Sequence, residues 1–151
     1  MNSEPDDLVK VAFVDGDIVE TLWAKPLGNN QYCLDNGPWY AYRVSWRDVV
    51  EAMPPATGGL SEFVRVVRKS GNRTVRVILE AKVRSNDPPH PVLEGLKKLG
   101  CSYEGSHGRL FSINVPATTQ LEEIRKFLID SDVEWEHADS THQELFTHAA
   151  N

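Results

Sequence analysis

Arg73-Thr74-Val75-Arg76-Val77-Ile78-Leu79-Glu80-Ala81 reads as a β-strand by its Val and Ile content, and the elements C-terminal to it decide the fold. Asp87-Pro88-Pro89 supplies a cap and helix-compatible prolines ahead of Val92, Leu93, Leu96 and Leu99, which share one helix face, and Gly100 stops that helix. Cys101 to Glu104 and Leu110 to Val115 are expected to pair around Gly105-Ser106-His107-Gly108. Thr119 and Glu122 form a capping box for a second helix carrying Leu121, Ile124 and Leu128. Val133, Trp135 and His137 alternate with Glu134 and Glu136 in a last strand. The order βαββαβ predicts a ferredoxin-like sandwich, with two helices on one face of a four-stranded antiparallel sheet.

Immediately upstream, Phe63 to Arg68 is a further strand, joined to Arg73 by Lys69-Ser70-Gly71-Asn72. The Gly-Asn pair predicts a hairpin, which would give the sandwich an extra edge strand. The sandwich is therefore expected over 62–138, after a linker at 54–61 that holds Pro54-Pro55 and Gly58-Gly59. Past it, 139–151 is an acidic, His-rich tail that reads as a short helix or a frayed end.

Residues 1–53 read as short strands and tight turns. Val9, Val11 and Phe13 alternate with polar or small residues, and Asp15-Gly16 ends that strand. Ile18 to Ala24 is apolar in part on both faces, as in a small barrel. Gly28-Asn29-Asn30 and Asn36-Gly37 are turns around Gln31 to Leu34, and Pro38 starts a strand over Trp39 to Val44. Ser45-Trp46-Arg47-Asp48 fits a capping box for one helical turn through Ala52, or a bent strand. The fold class is α+β: a small N-terminal β-barrel-like unit followed by the sandwich.

The chain has 151 residues and a net charge of −6, with 40% apolar and 25% charged residues, so it is neither disordered nor fibrous in composition. No stretch approaches the about 18 apolar residues of a membrane span, and an acidic start argues against a signal peptide. A cytoplasmic location without a membrane partner is expected. Charge is unevenly spread: residues 1–59 carry −5, 60–116 carry +5 and 117–151 carry −6. Such asymmetry points to charged partners or to neutralisation within the fold.

Catalytic signals are absent. No phosphate-binding glycine loop joins a strand to a helix, no Gly-x-Ser-x-Gly occurs, and Cys33 and Cys101 read as buried apolar residues. No catalytic residue, cofactor or metal site is expected, although His137, His142 and His148 with Glu136, Asp139 and Glu144 hold metal-ligating atoms. Arg65, Arg68, Arg73 and Arg76 could bind an anion or nucleic acid through the hairpin 65–76, or pair with the acids of both flanks and fasten the barrel to the sandwich. Trp23, Trp39, Tyr40, Tyr42 and Trp46 either fill the small barrel or form a binding surface with Arg43, Arg47, Asp35 and Asp48.

Glu20-Thr21-Leu22-Trp23-Ala24, Tyr32-x-Leu34-Asp35-Asn36, Val44-Ser45-x-x-Asp48-Val49-Val50 and Arg68-x-Ser70-Gly71-Asn72-x-Thr74-Val75-Arg76 together resemble an uncharacterised bacterial family, the domain of unknown function 4265. The resemblance runs from about Val9 to Trp135. It implies a bacterial cytoplasmic protein and supplies no catalytic residue.

The function expected from these readings is a non-enzymatic protein-binding module, in concrete form an immunity or antitoxin protein that neutralises a basic toxin domain. Its candidate contacts are Trp39, Arg43, Trp46, Asp48, Asp132, Glu134, Glu136 and Asp139. The alternative is a regulatory domain that binds a small ligand or nucleic acid through the basic hairpin.

Overall fold

The computed structural model describes residues 7–106 and 108–146, a mixed α+β protein made mostly of strands. Strands β1 (Val9–Asp15), β2 (Ile18–Gly28), β3 (Gln31–Leu34), β4 (Val49–Met53) and β5 (Glu62–Arg68) close into a barrel. Consecutive strands pair antiparallel, and a parallel contact at Ala12 and Glu62 joins β5 back to β1. Asn29 and Asn30 both take left-handed φ values, 56° and 61°, as the two-residue turn between β2 and β3 requires. Inside, Val11, Leu22, Ala24, Leu34, Val50 and Ala52 are buried, and Phe13 stacks on Phe63 at 4.7 Å. Fully burying each Leu or Val contributes about 1.5–3 kcal/mol.

The strand predicted at the edge of the sandwich is this fifth barrel strand. It pairs with β4 from Val49–Arg68 to Met53–Glu62, so the expected linker at 54–61 connects two strands of one barrel. Gly71 does sit in a turn, at φ 96° and with Ala117 Cβ 3.1 Å from where its own Cβ would stand. That turn carries the chain from the barrel to the second sheet, not back onto β5, and no basic hairpin forms.

The second sheet holds β6 (Arg73–Ile78), β7 (Ser102–Ser106), β8 (Leu110–Val115) and β9 (Glu134–Asp139) in the order β7-β8-β6-β9, all antiparallel. Helices α1 (Pro91–Lys98) and α2 (Leu121–Asp130) lie between β6 and β7 and between β8 and β9. Val92, Leu93, Leu96, Ile124 and Leu128 pack from them onto Val75, Val77, Phe111, Ile113 and Val115. The helix starts differ from the expected caps. His90 Nδ1 accepts the Val92 N–H, while Asp87 accepts the Arg84 N–H, and Thr119 donates to the Leu99 carbonyl. A short helix α3 (His142–Phe146) comes after β9.

The opposite face of this sheet is polar, with Thr74, Arg76, Ser112 and Asn114 on neighbouring strands. Residues 35–48 cover part of it as an irregular loop, where the sequence predicts a strand over Trp39–Val44. The side chain of Glu20 explains the irregularity: the backbone N–H groups of Trp39, Tyr40 and Ala41 all donate to its carboxylate instead of to a neighbouring strand. The loop approaches the sheet closely enough that a Cβ on Gly37 would stand 2.9 Å from Ser112 Oγ. Its aromatic residues are not barrel core. Tyr40 and Tyr42, like Trp23 of β2, are each about half exposed, while Val44 and Ala41 of the loop pack on the barrel core.

Candidate functional site

The residues that carry the family-like motifs converge where the loop meets the second sheet. Ser45 and Asp48 are expected from sequence to open a helical turn or a bent strand, and a strand follows them. Asp48 does accept the Ser45 N–H at 2.9 Å, but its other oxygen accepts the Ser70 N–H at 2.8 Å, and β4 begins directly after it. The Ser45 hydroxyl donates to Asp139 Oδ2 at 2.6 Å and lies 2.7 Å from Thr74 Oγ1. Lys69 Nζ is 2.6 Å from both Asp48 Oδ2 and Asp139 Oδ2, and it also donates to the Arg43 carbonyl. Asn72 and Ser70 donate to the Trp46 carbonyl. Both carboxylates are buried and bound from several sides, the arrangement that makes a charge tolerable away from water.

A second cluster lies two residues further along β6, where Arg76 stands opposite Glu136 of β9. Arg76, 2% exposed, donates from Nε to Glu136 and from Nη1 to the Ala41 carbonyl, and its guanidinium lies over the Tyr42 ring. Tyr42 donates to the other Glu136 oxygen at 2.8 Å, and this bond to a carboxylate raises the phenol's pKa. Of the predicted basic site, Arg76 is thus internal and Arg65 is held by Glu51 at 2.9 Å; Arg68 is exposed and Arg73 half-buried. Asp48 and Asp139, expected to face a partner, are buried in the fold, and Glu136, 46% exposed, is engaged by Arg76 and Tyr42. Asp132, Glu134 and Arg43 are exposed; Trp39 and Trp46 are half-buried, with Arg47 over the Trp46 ring.

Beside this cluster is a cavity of about 630 Å³, walled by Tyr42, Arg43, Trp135, Glu136, His137 and His142. His137 is 5% exposed, and neither ring nitrogen has a hydrogen-bond partner. Its ring meets Trp135 edge-on at 4.8 Å and lies 5.9 Å from Phe146 and 6.3 Å from His142. Burial first, then the charges of His142 and Arg125, push its pKa down to about 4. Glu144, whose carboxylate accepts the Thr141 N–H, is held below the usual carboxylate range and lies 3.6 Å from Arg43. On the sheet's far side, burial raises Glu104 despite the Gly37 N–H it accepts.

Sequence reading missed the role of Glu20. A signal existed: the acid falls in register with buried Leu22 and Ala24, a core position of β2, and so needs donors. Lys69 gave no such signal, since both its partners come from distant segments. His148 lies outside the described residues. Among those described, no group of three or more His, Cys, Asp or Glu is placed to hold a metal. No described helix is long and apolar enough to cross a membrane.

A hypothetical protein from Neisseria gonorrhoeae of known crystal structure superposes on 87% of this chain and 94% of its own, with a TM-score of 0.73 at 15% identity, a likeness of fold. No curated protein matches. The family described as domain of unknown function (DUF4265) matches residues 20–138, a span that contains Glu20, Ser45, Asp48, Lys69, Thr74 and Arg76. With that match over most of its length, the chain belongs to the DUF4265 family.

Proposed function

We propose that the protein is a non-enzymatic binding module that docks a basic protein through the tip of the β1–β2 hairpin, an immunity or antitoxin protein being the concrete form. One observation carries the reading: an apolar patch on the outer wall of the barrel. Val14 and Val19 are direct cross-strand partners on the outer face, exposed at 51% and 59%. Val64, two residues past Glu62 as Val14 is two past Ala12, extends the row on β5. Contiguous exposed aliphatics rimmed by polar residues mark interaction surfaces. The rim is acidic, formed by exposed Asp15, Asp17 and Glu62, which suits a partner with an apolar centre and basic surroundings.

The second sheet serves in this reading as a ferredoxin-like scaffold, supported by the strand order and by both helices lying on one face. The buried acids and bases of the junction hold that scaffold to the barrel. The test is affinity capture in the native host with wild type and with Val14→Lys and Val19→Lys. A stoichiometric basic polypeptide retained by wild type, shed by both variants and weakened by salt supports the proposal. Equal recovery by all three, or no stoichiometric partner, refutes it.

A further inference from the structure

β9 is the last strand of its sheet: β6 pairs with one side of it, and among the described residues no strand pairs with the other. Alternate residues of such a strand point their backbone N–H and C=O groups away from the sheet, where a further strand can bind them. Part of that edge is already used. The Arg43 N–H donates to the Ala138 carbonyl at 2.9 Å, and Thr141 bridges to the same residue. The Arg43 guanidinium stands at this closed end, its charge partly offset by Glu144 at 3.6 Å. From Glu134 to Glu136 the edge is open. The cavity of about 630 Å³ runs along it, because its walls include Trp135 and Glu136, neighbours in β9 whose side chains stand on opposite faces of the sheet. Only a space that opens past the edge of the strand touches both.

The two faces differ in chemistry. Glu134 and Glu136 are exposed on the polar face, and Glu136 stays so although Arg76 and Tyr42 hold it. On the helix face Trp135, with Val133 before it, is only half-buried against the core. A strand added here alternates its side chains in the same way, so every second one meets an acid and the others meet the indole.

We propose that the free edge of β9 binds an extended basic segment of a partner protein, whose alternate lysines or arginines face Glu134 and Glu136 and whose intervening apolar side chains lie against Trp135. Backbone bonds along the edge give such a complex its affinity, and the alternation gives it specificity. Charge argues against a second copy of this chain as the occupant. Two β9 edges side by side would set the Glu134 and Glu136 carboxylates of one copy against those of the other, and like charges across paired strands are destabilising. The edge uses none of the residues of the barrel-tip patch, so each proposal stands or falls without the other.

The experiment titrates a short, end-capped, fluorophore-labelled peptide of alternating lysine and valine into the full chain. Fluorescence anisotropy reads the affinity, and NMR of the backbone amides reads the place. Two further peptides carry N-methyl groups, one on every lysine and the other on every valine. In an extended peptide the lysine N–H groups all point to one side and the valine N–H groups to the other, so one set of methyls blocks the bonds to β9 and the other set spares them. The expected result is saturable binding with shifts centred on amides 134–137, weakened at least tenfold in one methylated peptide and not in the other. Glu134→Lys, a change at the surface, weakens the parent peptide severalfold. Equal affinity of the two methylated peptides, unchanged affinity in Glu134→Lys, or shifts centred on another strand overturns the proposal. So does a lack of saturation by about 1 mM, the weak end of ordinary affinity. A dimer of the free chain that protects the same amides also overturns it, and gives the edge to a second copy.

Discussion

The ammonium of Lys69 lies 2.6 Å from Asp139 Oδ2, seventy residues away along the chain. The same nitrogen is 2.6 Å from Asp48 Oδ2, so one cation at the end of the barrel neutralises a carboxylate of the loop and another of the last strand. Lys69→Met leaves both acids buried and unopposed. Removing one partner of a buried pair costs about 3–5 kcal/mol; because the lysine side chain is 44% exposed, a loss of about 2–4 kcal/mol is expected in urea unfolding at neutral pH.

Arg76 and Glu136 test the second cluster. Lysine is a point charge and cannot reach Glu136 and the Ala41 carbonyl together or lie flat over Tyr42, so Arg76→Lys is expected to cost about 1–2 kcal/mol. Glu136→Leu strands a guanidinium that is 2% exposed, and about 3–5 kcal/mol is expected. Thermal unfolding of the two variants ranks them, and a reversed order would show that the carboxylate contributes little to holding Arg76.

The imidazole of His137 gives the fold an acid limit. Unfolded, it takes a proton near the usual 6.5; folded, only near 4. Between those values the unfolded chain binds more protons, so stability is lost as pH falls through this window, by at most about 1.4 kcal/mol per pH unit from this group. His137→Phe should flatten that part of the stability curve. His142, Arg125 and Glu122 are the charged groups acting on the ring, and their salt dependence is expected to be small beside burial.

The thiols should differ in reactivity. Burial pushes Cys101 up to about 11, whereas Cys33 is half-buried and donates only a long bond to the Arg47 carbonyl, 3.6 Å. Iodoacetamide at about pH 8 is expected to label Cys33 in the folded protein and both residues in urea, read by mass spectrometry. Labelling of Cys101 in the native state would indicate that β7 opens on the timescale of the reaction.

Much of the second sheet was legible because its signals are local. Strand periodicity over Leu110–Val115 and the helix face at Val92, Leu93 and Leu96 depend on spacing alone, and the structure keeps both. The barrel was less legible. Gly71-Asn72 identifies a turn but not which strands lie together on either side, so the sequence alone puts β5 in the wrong sheet. Ser45 and Asp48 illustrate the same limit at the site: their local bond was readable, whereas Thr74, Asp139 and Ser70 reach them from 22 to 94 residues away. Aromatic density near Trp39 suggested a core. Side chains that bind the polar face of another sheet have the same composition as side chains that fill a barrel.

For anyone wishing to attach a label or split the chain, the two longest connections of the barrel are opposites. Residues 54–60 are mostly exposed, and their one described backbone bond is internal, from Gly58 to Pro55. A fluorophore or an inserted peptide there would hang from the wall and disturb neither sheet. Residues 37–44 look equally irregular in outline, yet Glu20 grips them from one side and Arg76 from the other. The same insertion in that loop would act as a wedge, parting the barrel from the sheet it caps.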